Sequence, residues 1–393
     1  MTKKLVMADR RPILAILVLA AGLRLGYALM LGPEPLFPDA IEFQAQALHV
    51  AAGEGAIVSE ERVATRPPLL AILLAPFAWI WGEDFRPARL FLALISVLTI
   101  FLVHRLGSRF GGRDVGIWAA LLVALDPFLV YLAPAVLSET VFVFLLVAAV
   151  ILVHRFREEA RWEDGFWGGF FLGLAALTRT SALLLPFWFV LVMRPHKKPS
   201  GALALLVGAA LAVAPGIVVP SLTLDTWVPI TTKGGQNLYE ALGPGATGRV
   251  RILEMEFPPH LEGLSLVEKD REFRRLAWDS VLERPGVALR LAFYKALYFW
   301  NPVPNAEEYR HPWMILVSVL YALPLFVLAI LGLRRVWARG GVVLLVPMLY
   351  FTALHMVFLG SIRYRVPLHP LMAVMGASFL AHCCRRGQVS GEC

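Results

Sequence analysis

The sequence has little cysteine and little charge. Its three cysteines, Cys383, Cys384 and Cys393, all lie at the extreme C-terminus, so neither a disulfide framework nor a cysteine-based metal site is indicated. Charged residues make up only 17% of the 393 residues and hydrophobic residues 58%, with a mean hydropathy of +0.66. A water-soluble domain of this size could not bury so much apolar surface. The composition therefore indicates a polytopic membrane protein.

Internal repeats and low-complexity segments are also missing, and ionisable side chains are sparse inside the apolar runs. Many secondary transporters are built from repeats and carry charges at mid-membrane depth, so these absences weigh against a coupled transporter. The net charge of +8 is spread over short clusters between the apolar runs. That distribution is typical of membrane topology, and no nucleic-acid partner is predicted.

The apolar runs predict an all-α fold with about ten transmembrane helices and external juxtamembrane helices. One further stretch, residues 67–81, is interpreted as re-entrant or juxtamembrane, because a full crossing would place several Arg- and Lys-rich loops outside the cell. Both termini are then cytoplasmic, and the first apolar run is interpreted as an uncleaved anchor. The predicted spans are 12–31, 88–103, 114–131, 140–153, 165–177, 180–193, 201–220, 312–333, 341–359 and 366–382.

This topology divides the chain into three regions. Residues 1–220 form an N-terminal transmembrane catalytic module, whose first external loop is 32–87. Residues 221–311 form an external loop region, interpreted either as a lid for acceptor recognition or as a passive cap. Residues 312–393 contain the C-terminal transmembrane helices and a cytoplasmic tail.

The first external loop contains a predicted helix that lies along the membrane surface. It begins near Pro38 and ends at the glycines that follow residue 52. Ile41 and Leu48 share its apolar face, and Glu42 and Gln46 its polar face. Asp39 stands at the start of this helix, where a carboxylate suits the free backbone N–H groups. A simple helix cap is therefore the alternative to a chemical role for Asp39.

The predicted outer side of the membrane collects both carboxylates and basic side chains. A carboxylate can accept the proton of an attacking hydroxyl, and a guanidinium can bind phosphate and stabilise developing negative charge. Such a site near the bilayer suits a lipid-linked phosphate donor, whereas the alternative is a set of ordinary residues at the membrane boundary. The residues are Asp39, Glu42, Arg66, Asp126, Glu139, Arg179, Lys233, Lys295, His355, Arg363 and Arg365.

Several segments together resemble the GT-C superfamily of polytopic glycosyltransferases that use lipid-phosphate sugars. The resemblance is to the branch of the protein O-mannosyltransferases and the lipid A aminoarabinose transferase, and the order of the motifs is more specific than any one of them. The segments are Asp39 with Phe43, Ala47 and Gly53; TRPPLL (65–70); LDPFLVYLAPAVLSETVF (125–142); GLAALTRTSALLLP (173–186); GGQNLYEALGPGATG (234–248); and RYRVPLHP (363–370).

The resemblance implies roles for particular residues. Asp39 would be the catalytic base, with Glu139 as a second acidic catalytic residue that orients the acceptor or supports a metal. Substrate binding would involve Arg66, Arg363 and Tyr364 at the donor phosphate, together with Arg179 and Asn237. The resemblance implies no particular cofactor and allows a divalent cation. Ala40 stands where many members have a second acidic residue, which weakens both a metal-binding role and assignment to the protein O-mannosyltransferase subgroup.

The sequence therefore predicts an inverting glycosyl transfer at the outer face of the cytoplasmic membrane. The donor would be a polyprenyl-phosphate-linked sugar, and the acceptor a hydroxyl of a lipid, a glycan or a protein. Membrane lipids surround the site and are the remaining predicted partners. The alternative from another class is a flippase or transporter of lipid-linked saccharides, which would also need basic residues outside.

Overall fold

The computed structural model of the protein describes residues 11–59, 61–192, 199–248, 257–305 and 309–390. These residues are mainly helical and include no named β-strand. In chain order the α-helices are α1 (Arg11–Met30), α2 (Pro38–Ala51), α3 (Leu69–Trp81), α4 (Phe85–Gly111), α5 (Arg113–Ala124), α6 (Pro127–Leu132), α7 (Ser138–Glu159), α8 (Trp162–Ala176), α9 (Leu185–Val192), α10 (Pro199–Thr223), α11 (Gly234–Leu242), α12 (Leu266–Glu283), α13 (Pro285–Trp300), α14 (Pro312–Trp337), α15 (Val342–Val357), α16 (Ile362–Arg365) and α17 (His369–Ser390).

Six helical segments of the described residues are long and apolar enough to cross a membrane. They are α1, α4, α7, α10, α14 and the continuous stretch Ile362–Arg385, while α3, α15 and Thr180–Leu191 are shorter apolar helices. The chain is therefore an all-α, multi-pass membrane protein, as predicted. The count of about ten spans stays a prediction. Helix α3 has 13 residues, fewer than the roughly 20 that a full crossing needs.

The predicted span at 114–131 is two helices, α5 and α6. Asp126 separates them: its carboxylate accepts hydrogen bonds from the backbone N–H groups of Phe128 and Leu129. Pro127 then occupies the first position of α6, where its missing N–H costs nothing. Hydropathy does not detect this break because the residues on both sides are apolar.

The surface helix of the first external loop is present as α2, and the residues that it buries in the protein are not those of its predicted apolar face. Ile41 is exposed, whereas Phe43, Gln44 and Gln46 are buried. The two amides are buried because they bond to loop carbonyls. Gln44 Nε2 donates to Gly82 O at 2.7 Å, and Gln46 Nε2 donates to carbonyls of the loop between α2 and α3. Buried polar groups that find partners in this way are tolerated.

Backbone hydrogen bonds hold the loop after α2 against two distant segments. The Thr232 N–H donates to the Ala64 carbonyl at 2.9 Å, and the Leu69 N–H donates to the Leu177 carbonyl at 3.0 Å. The first bond brings the start of α11 to the loop, and the second brings the end of α8. Residues far apart in sequence therefore meet around the entrance to α3.

The described part of the external region 221–311 is folded. Helices α11 and α12 share a small apolar core that includes Leu238 and Phe273 and extends to Leu359, after α15. The Gly235 N–H donates to the Asp270 carboxylate at 2.5 Å, which fixes the start of α11 on α12. Residue 233, immediately before α11, is thereby directed towards the first external loop.

Candidate active site

Asp39 lies between two arginines from opposite ends of the chain. Its Oδ1 accepts from Arg66 Nη2 at 2.7 Å, and its Oδ2 accepts from Arg363 Nη1 at 3.0 Å. Asp39 is the second residue of α2, and Phe37 is the N-cap residue, without a side-chain cap bond. The carboxylate therefore pairs with guanidinium groups, and Asp39 is not the N-cap residue of α2.

Glu139 forms the second centre of the cluster. It lies in the first turn of α7 and is almost completely buried. Its Oε1 is 2.6 Å from Arg179 Nη1 and also accepts from Arg363 Nε. Arg363 therefore joins the two carboxylates, since its Nε donates to Glu139 and its Nη1 donates to Asp39. The other oxygen of Glu139, Oε2, has no hydrogen-bond partner among the described residues.

Glu42 forms a third centre, one turn after Asp39 on α2. Its Oε2 accepts from Arg66 Nε and lies 3.6 Å from Lys233 Nζ. Its Oε1 accepts from Arg62 Nη2. Arg66 thus links Glu42 to Asp39, as Arg363 links Asp39 to Glu139. The three carboxylates form a continuous chain with arginines between them.

This chain of ion pairs has an excess of positive charge. It contains five basic side chains but only three carboxylates, so two positive charges are not neutralised within it. An excess of this kind in a partly buried site attracts an anion. The basic residues are Arg62, Arg66, Arg179, Lys233 and Arg363, and the acidic ones are Asp39, Glu42 and Glu139.

The charges shift the pKa values of the groups in the external loops. Burial alone would raise the pKa of Asp39, but the charges and hydrogen bonds of Arg363 and Arg66 outweigh it and hold the pKa below its ordinary value. The pKa of Glu42 is lowered for the same reason by its basic neighbours. Burial, together with the nearby charge of Arg66, lowers the pKa of Lys233. Both acids are therefore ionised at neutral pH.

Aromatic rings support the arginines. The Arg179 guanidinium lies over the Tyr364 ring, 5.2 Å from its centroid, and the His355 ring stacks on Tyr364 with the two centroids 4.6 Å apart. Arg363 lies over Phe37 at 5.6 Å, and Arg66 over Phe43 at 5.5 Å. Cation–π contacts of this kind restrain the direction in which each guanidinium points.

Six of the seven predicted site residues come together in this cluster, which is made of Asp39, Glu139, Arg66, Arg179, Arg363 and Tyr364. Asn237 is the exception: it is exposed on α11 and makes no side-chain hydrogen bond within the described part of the chain. Lys233, one turn earlier, reaches the cluster in its place. Arg62 was not predicted, although its position four residues before Arg66 in the same loop was a signal.

The carboxylates of this cluster face basic side chains. No group of three or more His, Cys, Asp or Glu side chains in the described ranges is arranged to hold a metal ion. Each of the three carboxylates of the cluster is paired with arginine instead.

Comparison with known proteins supports the resemblance seen in the motifs. Residues 65–219 match the family model of the dolichyl-phosphate-mannose-protein mannosyltransferases. This range includes Arg66, Glu139 and Arg179 but not Asp39 or Arg363. No curated protein sequence gives a significant match to the chain.

Two solved structures from Archaeoglobus fulgidus share the fold. The Archaeoglobus fulgidus oligosaccharyltransferase in its apo form matches with a TM-score of 0.58 and 15% sequence identity, covering 96% of this chain and 51% of that chain. The same organism's AglB, in complex with an inhibitory peptide and a dolichol-phosphate, matches with a TM-score of 0.56 and 14% identity, covering 96% and 50%. ArnT from Cupriavidus metallidurans, bound to undecaprenyl phosphate, has a TM-score of 0.44 and 14% identity, covering 100% and 80%.

The chain spans about half the length of the archaeal oligosaccharyltransferases that it matches. The chain shares its fold with these oligosaccharyltransferases, and this fold, together with the family match over residues 65–219, supports the resemblance seen in the motifs.

Proposed function

We propose that this protein is a membrane glycosyltransferase that moves a sugar from a polyprenyl phosphate to an acceptor hydroxyl. The observation that carries the proposal is the position of Asp39 between Arg66 and Arg363. A base and two phosphate-binding groups are the parts that this reaction needs, and here they touch each other. The dolichol-phosphate in the similar AglB complex supports a lipid phosphate as the ligand.

In the proposed reaction Asp39 removes the proton from the acceptor hydroxyl. The oxygen then attacks the anomeric carbon from the face opposite the phosphate, so the configuration inverts. The bond between that carbon and the phosphate oxygen breaks, and the polyprenyl phosphate leaves with the electron pair. Arg66 and Arg363 stabilise the charge that develops on the leaving phosphate. A single hydrogen-bond donor in such a role contributes about 10²- to 10³-fold in rate.

The charge excess supports a phosphate that gains charge during the reaction. A donor phosphodiester carries one negative charge, and the phosphate monoester that leaves carries about two at neutral pH. The cluster has two positive charges more than negative ones. The charge of the cluster therefore complements the product phosphate better than the donor phosphate. Catalysis requires such a difference, because the active site must stabilise the charge that develops during the reaction more than the charge of the bound substrate.

Donor binding would also make Asp39 a better base. The two arginines that lower its pKa are the groups that the donor phosphate would bind. Phosphate oxygens and the carboxylate would compete for the same arginine N–H groups. A bound sugar donor therefore weakens the hydrogen bonds of the arginines to Asp39. Asp39 is therefore a weak base when no sugar donor is bound and a stronger base when the sugar donor is bound.

The test is transfer by purified protein in lipid nanodiscs. A radiolabelled polyprenyl-phosphate sugar and an envelope extract are supplied to the wild type, to Asp39→Asn and to Asp84→Asn. Asp84 is in the same external loop, where it caps α4 and pairs with Arg86, so it controls for loss of a carboxylate. We expect Asp39→Asn to remain folded and to lose at least about 10³-fold in rate, as for other essential acid–base groups.

Wild-type rates in folded Asp39→Asn protein would remove Asp39 from the mechanism. If the wild type forms no glycosidic bond with any of several donors but moves the labelled lipid between bilayer leaflets, the transporter is the correct class.

A further inference from the structure

A second polar cluster lies inside the helix bundle. Its members are Asp126, His369 and Arg365, and all three are completely buried. Asp126 Oδ1 accepts from the backbone at the start of α6, and its Oδ2 lies 2.7 Å from His369 Nδ1. Buried charges are costly unless they are paired and hydrogen-bonded. A network with this cost is expected to have a purpose beyond packing.

The hydrogen bonds fix the position of the proton on the His369 ring. Arg365 Nε is 3.4 Å from His369 Nε2, and a guanidinium can only donate. His369 Nε2 is therefore the acceptor, and the ring proton is on Nδ1, from which it is donated to Asp126. His369 is a neutral bridge between a carboxylate and a guanidinium, with both of its nitrogens in use.

Arg365 extends the network to the external region. Its Nη1 donates to the backbone carbonyls of Phe299, at 3.2 Å, and Asn301, at 2.7 Å. These carbonyls lie at the C-terminal end of α13, where helix geometry leaves them without intrahelical partners. The guanidinium also lies over the Phe326 ring at 4.8 Å. The end of α13 is thus attached to the same residue that holds His369.

Arg365 belongs to the same helical turn as the active-site arginine. Helix α16 is four residues long, and Arg363 extends from it to the two carboxylates of the cluster. The start of the turn is held by the Ile362 N–H, which donates to Asn305 Oδ1 at 3.0 Å. Helix α16 runs directly into a 3-10 turn (Val366–Leu368) and then α17, so only its first N–H groups lack a preceding helical turn to bond to. The position of Arg363 therefore depends on the anchors at the two ends of α16.

We propose that Asp126, His369 and Arg365 are positioning residues that fix Arg363 for the donor phosphate; this inference rests on the proposed function. The network connects α6, the end of α13 and the turn that carries Arg363. Displacement of a substrate-binding group by about 1 Å can cost about 10²-fold in rate. Loss of His369 frees the Arg365 guanidinium from one of its anchors, and the α16 turn then shifts or loosens.

The experiment measures the affinity of the full chain in nanodiscs for undecaprenyl phosphate. His369→Leu removes both ring hydrogen bonds, His369→Asn keeps a donor for Asp126, and His369→Gln keeps an acceptor for Arg365. We expect the Leu variant to bind about ten-fold or more weakly and the two amide variants to lie between it and wild type. His154→Leu is the matched control. His154 is also buried, but it lies near the C-terminal end of α7, where its ring stacks on Phe110.

The same substitutions are then made in an Arg363→Ala background. If His369 acts through Arg363, they should change the affinity by less than about two-fold there, because the effects of coupled residues do not add. An equal loss in both backgrounds, or the same loss in His154→Leu, would overturn the inference, because it would show a general effect on the fold.

A measurement on the ring itself separates this inference from the proposed function. Nitrogen NMR of histidine-labelled protein, with the His369 signals identified by their loss in His369→Asn, should show Nδ1 protonated and Nε2 unprotonated at pH 7. The opposite tautomer, or a doubly protonated ring, would overturn the network. If the wild type fails to bind undecaprenyl phosphate, the proposed function loses its support while the NMR result still decides whether the network exists.

Discussion

Each oxygen of Asp39 is held by a different arginine, and this is the central fact at the scale of the residue. A carboxylate in such surroundings is ionised but is a poor base, because the same charges that keep it ionised stabilise the ionised form. A ligand that binds the arginines is needed to change this. The geometry therefore couples the strength of the base to the presence of an anion.

Arg66 is the residue through which this coupling can be tested. Arg66→Ala removes a contact to Asp39 and a contact to Glu42, and we expect kcat/KM for the donor to fall about 10²- to 10³-fold. Arg66→Lys should recover only part of this loss, since an ammonium cannot reproduce the guanidinium fork. Steady-state kinetics with varied donor measure both variants.

Arg86→Ala is the control for this comparison, because Arg86 is an exposed arginine of the same loop that pairs with Asp84. Equal kinetics for Arg66→Ala and Arg86→Ala would exclude Arg66 from the donor site.

At the scale of the element, helices α8 and α10 are in contact through their backbones. A Cβ atom at Gly169 would lie 1.8 Å from the carbonyl oxygen of Leu205. Small residues that allow such approach are characteristic of helix packing in membranes. Gly169→Ala must push α10 away, and overpacking of this kind costs about 1–3 kcal/mol.

Thermal unfolding in detergent measures the effect, with Gly22→Ala as the control. A Cβ atom at Gly22, in α1, would have no atom within 4 Å, so its stability should be unchanged or slightly higher, as expected for alanine in a helix. Equal melting temperatures for the two variants would show that α8 and α10 are not packed this closely.

Helix α13 is attached to the end of α15 by a buried lysine. Lys295 Nζ donates to the Val357 carbonyl at 2.6 Å, and burial lowers the pKa of Lys295 to about 8. Its ordinary value is about 10.4, so between these two pH values the unfolded chain binds more protons than the folded one. The free energy of unfolding should therefore rise through Lys295 as the pH rises from about 8 to about 10.4.

The melting temperatures of wild type and Lys295→Met, compared at pH 7, 8.5 and 10, test this. Contributions from other groups cancel in the difference between the two melting temperatures. The melting temperature of wild type should rise relative to that of Lys295→Met as the pH rises. Lys269→Met, on the neighbouring α12, should show no such trend. A difference that is constant with pH would mean that Lys295 titrates alike in both states.

At the scale of the whole molecule, the sequence predicts the helices well and their contacts poorly. Apolar runs are local, so hydropathy alone finds most of the helices. The break at Asp126 was not predicted because it depends on two specific backbone hydrogen bonds. The burial of Gln44 and Gln46 was not predicted because their carbonyl partners lie outside α2.

The predicted topology puts the residues of the candidate site on one side of the membrane, but only the resemblance of motifs assigns them to one site. Asp39 and Arg363 are 324 positions apart, and Glu139 and Arg363 are 224 apart. Nothing in local pattern or charge states that these side chains meet. The part played by Lys233 depends on a backbone bond between Thr232 and Ala64, which no side-chain pattern records.

The orientation of the molecule in the membrane follows from the positive charges between spans, and it decides which compartment supplies the acceptor. The predicted topology puts Asn237 outside and the C-terminal cysteines inside. In a variant with serine at all three cysteines, the thiol introduced by Asn237→Cys should react with a membrane-impermeant maleimide in intact spheroplasts. The exposed native Cys383 and Cys384 should react only after the membrane is permeabilised. Labelling of the native cysteines alone in intact spheroplasts would invert the topology and place the Asp39 cluster on the cytoplasmic side.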